Sequence, residues 1–169
     1  MIITVFGTGS STKEEDEVAY ELGKKIALAG HVLKNGGYSG TMKASAKGCK
    51  DYGGTSIGVC VKGHSFATEG KPNEYLTEVI ETNSLTERIT ELLKADKLIV
   101  LPGKMGTLEE LFRAWNEFYI FRKGKIYLIG EKNKKLIKFL LENNFIYDKK
   151  YLEHIEQVDS INDLDFLRS

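Results

Sequence analysis

Short runs of hydrophobic residues alternate along the chain with longer segments in which hydrophobic residues recur every three or four positions. The short runs lie at residues 2–6, 31–35, 55–61, 75–80, 97–101 and 125–130, and a last one falls within residues 151–159. Short apolar runs bounded by glycine or proline are typical of strands buried in a parallel sheet. The longer segments have the periodicity of helices that pack one face against a sheet. The pattern therefore predicts an α/β fold: a single Rossmann-like, doubly wound domain over residues 1–169, with a mostly parallel sheet flanked by helices.

Polar residues mark the starts of several predicted helices. The first helix is expected over residues 13–29, and four acidic residues, Glu14 to Glu17, occupy its opening turns. Negative charge interacts favourably with the N-terminal end of a helix dipole, so this run indicates a helix start rather than a metal site. A later helix begins with Ser84 and Glu87 at the spacing of a capping box. A terminal helix is expected over residues 160–167.

The corner that follows the fifth predicted strand is the first candidate site. The strand ends at Pro102-Gly103, and the chain turns through Gly106 into a helix. In open α/β sheets, ligands bind beyond the carboxyl ends of the strands. Glycines allow the backbone to approach a ligand closely, and the free N–H groups of a first helical turn suit an anion such as phosphate. With the Thr107 hydroxyl and the Glu110 carboxylate nearby, the corner predicts a phosphate site beside an acid.

Two further glycine turns follow the first and second predicted strands. The first turn is Gly7-Thr8-Gly9-Ser10, and the second contains Gly36, Gly37, Gly40 and Met42. Each turn has two interpretations, a plain strand-to-helix connection or nucleotide contact, and two such turns after parallel strands could converge on one crevice. A dinucleotide fingerprint is incomplete, because Thr12 stands at the third glycine position and no acidic residue closes the second strand. A Walker phosphate loop is missing from the sequence as well.

Two residues near these turns have both a structural and a functional interpretation. Thr107 and Glu110 have the spacing of a capping box, in which Thr107 would be the N-cap and Glu110 would need no chemical role. Arg88 falls at the edge of an apolar helix stripe, where it would either reach toward the site or lie on the surface. From the residues alone, the structural interpretation is favoured for both.

Composition restricts the possible partners. Lys plus Arg and Asp plus Glu number 24 each, so no overall field favours nucleic acid or an anionic membrane. Two cysteines, Cys49 and Cys60, are too few for a disulfide framework and suit a reducing compartment. Neither a signal peptide nor a membrane span is expected from the sequence. We therefore expect a cytoplasmic protein that binds a small molecule.

Two other segments remain open to interpretation. Residues 62–73 lack periodicity and predict a loop, which would be a flap over the site, and His64 within it is expected to be incidental. The helix after the corner carries six large apolar or aromatic residues, more than one sheet contact usually needs: Leu108, Leu111, Phe112, Trp115, Phe118 and Tyr119. These residues fit either a homodimer interface or ordinary core.

The corner also carries a family resemblance. Residues 102–110, PGKMGTLEE, resemble the PGGxGTxxE signature of the LOG family of phosphoribohydrolases, which release cytokinin bases. Many members were first labelled possible lysine decarboxylases, and the molybdenum cofactor carrier protein belongs to the same superfamily. Residues 85–88 resemble the start of the family pattern MHxRK, and the two other glycine turns occur in the family order. The resemblance covers nearly the whole chain.

The resemblance implies roles for individual residues. It implies that Arg88 and Glu110 are catalytic. It places the 5′-phosphate at Gly103, Gly106 and Thr107, with help from Gly9 and Ser10. It places further nucleotide contacts at Gly36, Gly37, Gly40 and Met42. It also implies a homodimer, a small phosphorylated ligand and no metal or other cofactor.

Three residues depart from the family pattern. Lys104 replaces a signature glycine, Thr86 replaces the histidine, and Ile89 replaces the lysine after the arginine. Lys104 would either add charge to a phosphate site or obstruct it. Two functions follow: hydrolysis of the N-glycosidic bond of a nucleoside 5′-monophosphate, or non-catalytic binding of a nucleotide or of the molybdenum cofactor. Lysine decarboxylation is not expected, since no residues for a pyridoxal cofactor can be singled out.

Overall fold

The computed structural model describes residues 1–63 and 71–167. In this part of the chain, seven strands form one parallel sheet in the order β4-β3-β2-β1-β5-β6-β7. The strands are β1 Ile2–Phe6, β2 Val32–Asn35, β3 Ser56–Val61, β4 Glu78–Thr82, β5 Lys97–Val100, β6 Ile126–Ile129 and β7 Ile155–Val158. The helices are α1 Lys13–Leu28, α2 Thr41–Asp51, α3 Leu85–Leu92, α4 Met105–Phe121 and α5 Gly130–Glu142. The expected α/β architecture is confirmed.

The strand order reverses beside the central strand. β1 pairs with β2 on one side, where Ile3 aligns with Leu33, and with β5 on the other, where Val5 aligns with Ile99. The chain proceeds from β1 toward one edge of the sheet and returns at β5 to build the other edge. A reversal of this kind opens a crevice at the carboxyl ends of the two strands, which is where ligands bind in open α/β sheets.

Each face of the sheet has its own hydrophobic core. On one face, Leu22 and Ile26 of α1 pack against β1 and β2 together with the C-terminal segment. On the other face, Leu111 and Trp115 of α4 pack with α3, α5, β5 and β6. The buried residues of β1, β5 and β6 explain why these strands appear in the sequence as nearly continuous apolar runs, whereas the edge strand β4 is mostly exposed.

The small residues of α2 face α1. A Cβ on Gly48 would lie 2.0 Å from the carbonyl oxygen of Tyr20, and a Cβ on Gly23 would lie 2.0 Å from that of Ser45. The two glycines therefore let the backbones of α1 and α2 approach each other. This packing fixes the start of α2 at the carboxyl end of the sheet.

Some predicted element bounds are wrong. The fourth strand was expected at residues 75–80 but lies at Glu78–Thr82, because Asn73 accepts a hydrogen bond from the Tyr75 N–H and holds this part of the chain in a turn. The expected terminal helix is two short 3-10 turns, Ile161–Asp163 and Asp165–Leu167. The extended backbone of Leu164 separates these turns.

Two other expectations concern the loop at residues 62–73 and the membrane spans. Of the predicted loop at 62–73, residues 64–70, which include His64, lie outside the described residues, so the flap stays a prediction. Across the described helices, none combines the length and the apolar character that a membrane crossing requires.

Candidate functional site

A cleft of about 570 Å³ opens at the carboxyl ends of the central strands. It is lined by residues of the three glycine turns together with one residue of α3 and one further along α4: Gly7, Thr8, Gly9, Ser10, Tyr38, Ser39, Met42, Gly106, Arg88 and Glu110. The three glycine turns of the sequence therefore converge on one space.

The first two turns are joined by hydrogen bonds. The Thr41 N–H donates to the Thr8 carbonyl over 3.0 Å, and the Ser39 hydroxyl donates to the Gly9 carbonyl over 2.9 Å. Gly40 has a φ of 62°, and a Cβ on it would lie 2.3 Å from the Thr8 oxygen. Gly40 thus permits the two turns to touch, while Gly9, Ser10 and Met42 line the cleft itself.

The first turn of α4 is open toward the cleft. Lys104 is the N-cap of α4 and makes no side-chain capping hydrogen bond, and the Leu108 N–H is bonded to the Lys104 carbonyl. The preceding N–H groups of this turn have the free orientation of a helix N-terminus. A Cβ on Gly106 would meet no atom within 4 Å, so this residue borders open space. The geometry suits a small anion.

The interpretation of Thr107 as an N-cap is wrong. The helix begins at Met105, two residues earlier, and the Thr107 hydroxyl donates to the Gly7 carbonyl over 2.7 Å. Glu110 consequently has no capping role. Gly103 packs directly beneath Thr107, because a Cβ on Gly103 would lie 2.1 Å from the Thr107 hydroxyl oxygen. The Thr107 hydroxyl is bonded to Gly7, so the polar group that Thr107 presents at the open start of the helix is its backbone N–H.

A lysine and a serine meet at the mouth of the cleft. The Lys104 ammonium lies 3.1 Å from the hydroxyl oxygen of Ser10. This contact connects the turn before α4, which carries the family signature, to the first glycine turn. The Lys104 side chain therefore lies beside the open first turn of α4, where its positive charge adds to the helix dipole.

A buried ion pair forms the floor of the cleft. The Nη1 atom of Arg88 lies 3.1 Å from Oε1 of Glu110, and each residue is 8% exposed. The interpretation of Arg88 as a surface residue is therefore wrong. Arg88 lies near the start of α3, and Ser84 caps this helix as expected, accepting the Glu87 N–H over 3.1 Å.

Backbone carbonyls hold the other side of the Arg88 guanidinium. Its Nε donates to the Val59 carbonyl over 2.9 Å, and its Nη2 donates to the Gly36 carbonyl over 3.4 Å. A Cβ on Gly36 would lie 2.0 Å from Nη2, so this position has no room for a side chain. Gly37 has a φ of 78°, and a Cβ on it would lie 2.6 Å from the sulfur of Cys60. Gly36 and Gly37 therefore allow the second turn to lie directly against Arg88 and Cys60.

The Glu110 carboxyl is poised between its two protonation states near neutral pH. Burial raises its pKa to about 7, against the opposing charge and hydrogen bond of Arg88. A carboxyl with such a pKa can accept or release a proton at physiological pH. Perturbed carboxyls of this kind are typical of functional sites. Among the described residues, no group of three or more His, Cys, Asp or Glu side chains could hold a metal ion.

Sequence reasoning missed several cleft residues. Thr8 and Ser39 lie between predicted glycines, and Tyr38 packs its ring beside Arg88. Outside the cleft lining, Asn73 supports the second glycine turn and was also missed: its side-chain amide donates to the carbonyls of Gly37 and Tyr38 over 3.1 and 3.0 Å. The signal for Tyr38 was its place within the second glycine turn, whereas nothing in the sequence pattern marks Asn73.

The SLOG cluster4 family matches residues 1–156. The chain belongs to this family. The resemblance to the LOG family and its relatives is thereby confirmed.

Named relatives have related sequences and folds. The chain is 35% identical over 121 residues to a cytokinin riboside 5′-monophosphate phosphoribohydrolase of Mycobacterium tuberculosis, covering 70% of this chain and 64% of the relative. It is 33% identical over 127 residues to a probable enzyme of the same name from Oryza sativa, covering 72% of this chain and 55% of that one. The chain thus spans less than two thirds of the length of each of these two relatives. The structure of a molybdenum cofactor binding protein from Rippkaea orientalis superimposes with a TM-score of 0.74 at 25% identity, covering 95% and 90% of the two chains.

Proposed function

We propose that this protein hydrolyses the N-glycosidic bond of a nucleoside 5′-monophosphate and releases a free base and ribose 5-phosphate. The observation that carries the proposal is the buried Arg88–Glu110 pair on the floor of a cleft whose rim is the open first turn of α4. Relatives named as phosphoribohydrolases support a hydrolase.

In this proposal the phosphate binds at the start of α4. The N–H groups of Gly106 and Thr107 donate to its oxygens, and Gly103 gives the turn its shape. Lys104 and Ser10 contribute a positive charge and a hydroxyl at the mouth, 3.1 Å apart. Gly9 completes the opposite wall. This arrangement combines a helix N-terminus with a cation, as phosphate sites commonly do.

The nucleoside then extends over the second glycine turn. Met42 provides a flexible apolar surface for it, since a thioether side chain adapts to flat ligands. Gly36, Gly37 and Gly40 act by keeping the turn close to the sheet and clear of side chains. The sugar carbon that bonds to the base is thereby placed above Glu110.

The chemistry proposed for Glu110 follows from its position. Breaking the C1′–N bond leaves the electron pair on the base, which takes up a proton from solvent, and leaves positive charge on the ribose. The ionised Glu110 carboxylate stabilises that charge and accepts a proton from the water whose oxygen bonds to C1′. Arg88 orients the carboxylate through its hydrogen bond. No redox step or added co-reactant is needed.

A base-release assay on a panel of nucleoside 5′-monophosphates tests the proposal. Glu110→Gln should keep the fold and lose about 10²–10³ in rate, the scale for removing one electrostatic partner of a transition state. The neighbouring Glu109 is exposed and provides the matched control, since Glu109→Gln should retain activity. Equal turnover in wild type and Glu110→Gln would reject the catalytic role.

A second function is favoured by two observations. The superposition on a molybdenum cofactor binding protein covers nearly the whole chain, and Thr86 and Ile89 remove polar groups of the family pattern. The same cleft would then hold the cofactor, or a nucleotide, as cargo without cleaving it. Tight binding of a ligand, with no base release from any nucleotide of the panel, would establish this function instead. A cytoplasmic location and a homodimer remain part of either proposal.

A further inference from the structure

Tyr38 lies between the glycine turns and the ion pair. It is 8% exposed, and its hydroxyl oxygen accepts the Val61 N–H over 2.9 Å. Its backbone carbonyl accepts from the Asn73 side chain over 3.0 Å. The residue is thus held at both its backbone and its phenol end, which leaves its ring little freedom to move.

The face of the Tyr38 ring is turned toward Arg88. The guanidinium carbon lies 5.7 Å from the ring centroid, within the range of a cation–π interaction. The hydrogen bonds of Arg88 to Val59, Gly36 and Glu110 constrain the edges of the guanidinium. The ring adds an interaction that these hydrogen bonds lack, which is the attraction of its negative face for the positive charge of the guanidinium.

We propose that Tyr38 is a positioning residue, whose ring holds the Arg88 guanidinium against Glu110 and so sets the working geometry of the pair. The inference rests on the proposed function, because positioning matters to turnover only if Glu110 acts on a substrate. In the sequence, Tyr38 is a large aromatic residue within the second glycine turn, between Gly37 and Gly40.

Two substitutions separate the ring from the hydroxyl. Tyr38→Leu removes the ring face and the hydroxyl, whereas Tyr38→Phe removes the hydroxyl bond to Val61 and keeps the ring. Tyr52, at the C-terminal end of α2 and away from the cleft, provides a control position. Its ring lies 5.0 Å from the Lys24 ammonium. Tyr52→Leu removes a comparable contact away from the cleft.

The first readout is the titration of Glu110, which is monitored by carbon NMR of labelled carboxyl groups. The Glu110 signal is assigned by its disappearance in Glu110→Gln. A less well placed guanidinium stabilises the carboxylate less, so Tyr38→Leu should move the titration midpoint to higher pH. Tyr38→Phe and Tyr52→Leu should keep the wild-type midpoint. Two other ionisable groups, Cys60 and Glu109, act on Arg88 or Glu110 and are present in every variant. Both Tyr38 variants lose the hydroxyl contact to the Cys60 thiol, so the comparison of Tyr38→Leu with Tyr38→Phe isolates the ring.

The second readout is base release. Tyr38→Leu should lower kcat by about tenfold while changing KM little, and Tyr38→Phe should restore most of kcat. An unchanged titration midpoint in folded Tyr38→Leu would overturn the proposal. So would a Tyr38→Phe midpoint shifted as far as that of Tyr38→Leu, because the hydroxyl would then carry the effect. A wild type that releases no base would reject the hydrolase function, yet the titration would still decide the role of Tyr38.

Discussion

The hydroxyl of Thr107 donates a hydrogen bond of 2.7 Å to the carbonyl oxygen of Gly7, which joins the first turn of α4 to the end of the central strand. Thr107 is 3% exposed and Gly7 is half-buried at the edge of the cleft, so the bond is partly shielded from water. This bond connects two of the three glycine turns that form the cleft, whereas the spacing of Thr107 and Glu110 in the sequence predicts helix capping by the same hydroxyl.

Removing that hydroxyl should destabilise the protein. Thr107→Val keeps the shape but removes the donor to the half-buried Gly7 carbonyl, at a cost of about 1 kcal/mol. Thr107→Ser retains a hydroxyl and should recover most of the loss. Urea denaturation of the three proteins measures the difference. Equal midpoints for wild type and Thr107→Val would show that the bond contributes nothing.

Gly106 should matter for ligand binding more than for stability. A Cβ at this position meets no protein atom within 4 Å, and alanine is the better helix former, so Gly106→Ala should melt at the wild-type temperature or above it. The added methyl projects into the cleft and should weaken AMP binding by about tenfold or more, or about 1.4 kcal/mol. Isothermal titration measures this affinity. Unchanged affinity in the folded variant would place the phosphate elsewhere.

Lys104 should contribute to affinity through its charge. Lys104→Gln should weaken nucleotide binding most at low salt, because the Debye length shrinks from about 30 Å at 0.01 M to about 3 Å at 1 M. Lys138→Gln, on the exposed face of α5, is the control and should have no effect. Tighter binding by Lys104→Gln would instead mean that the lysine obstructs the cleft.

The strands and helices were predictable because each follows from local pattern. Apolar runs such as Lys97–Val100 have few alternatives to a buried strand, and Ser84 marks its helix by capping chemistry. The fourth strand was misplaced because the Asn73 side chain turns the backbone at a point where the apolar pattern continues. The same side chain also bonds to the carbonyls of Gly37 and Tyr38, which lie far away in the sequence, and no local pattern records these contacts.

The site was predictable in its location but less so in its details. Glycine turns after parallel strands indicated where Gly9 and Gly106 would lie. The burial of Arg88 was not predictable from helical periodicity, because it depends on carbonyls contributed by β3 and by the second turn. The same holds for Glu110, whose spacing from Thr107 fits a capping box although its partner lies on another helix.

The aromatic surplus of α4 separates into core and surface. Trp115 and Phe118 are 4% and 5% exposed, so they belong to the core and are unsuitable for testing an interface. Exposed aromatics, Phe112, Phe139 and Phe145, border a groove between α4 and α5. We predict that this surface joins two copies of the chain, because large exposed apolar patches usually mark an interface.

Sedimentation tests the homodimer. Phe139→Glu should shift the protein toward monomer at micromolar concentration, since it places a charge in an apolar contact. Leu28→Glu changes an equally exposed residue of α1, on the opposite face of the sheet, and should leave the dimer intact. A wild-type monomer at this concentration would contradict the prediction.

The raised pKa of Glu110 should make stability depend on pH in a defined window. Burial raises its pKa from 4.5 to about 7 in the folded protein. Below pH 4.5 the carboxyl is protonated in both states, and its contribution to stability is fully present. Between pH 4.5 and 7 the unfolded chain loses the proton while the folded protein keeps it, so this contribution falls as pH rises and is lost above 7.

Comparison with Glu110→Gln isolates this dependence, because glutamine does not titrate. The unfolding free energy of wild type relative to Glu110→Gln should fall by about 3 kcal/mol between pH 4.5 and 7 and then level off. The unfolding free energy of wild type relative to Glu109→Gln, an exposed position next to it, should show no comparable fall, because both proteins keep Glu110. Base release should rise over the upper part of the same window, since the ionised carboxylate is the proposed working form. A free-energy difference that stays constant from pH 4.5 to 7.5 would mean that Arg88 keeps Glu110 ionised throughout, and the pH-rate profile would then lose its step near neutrality.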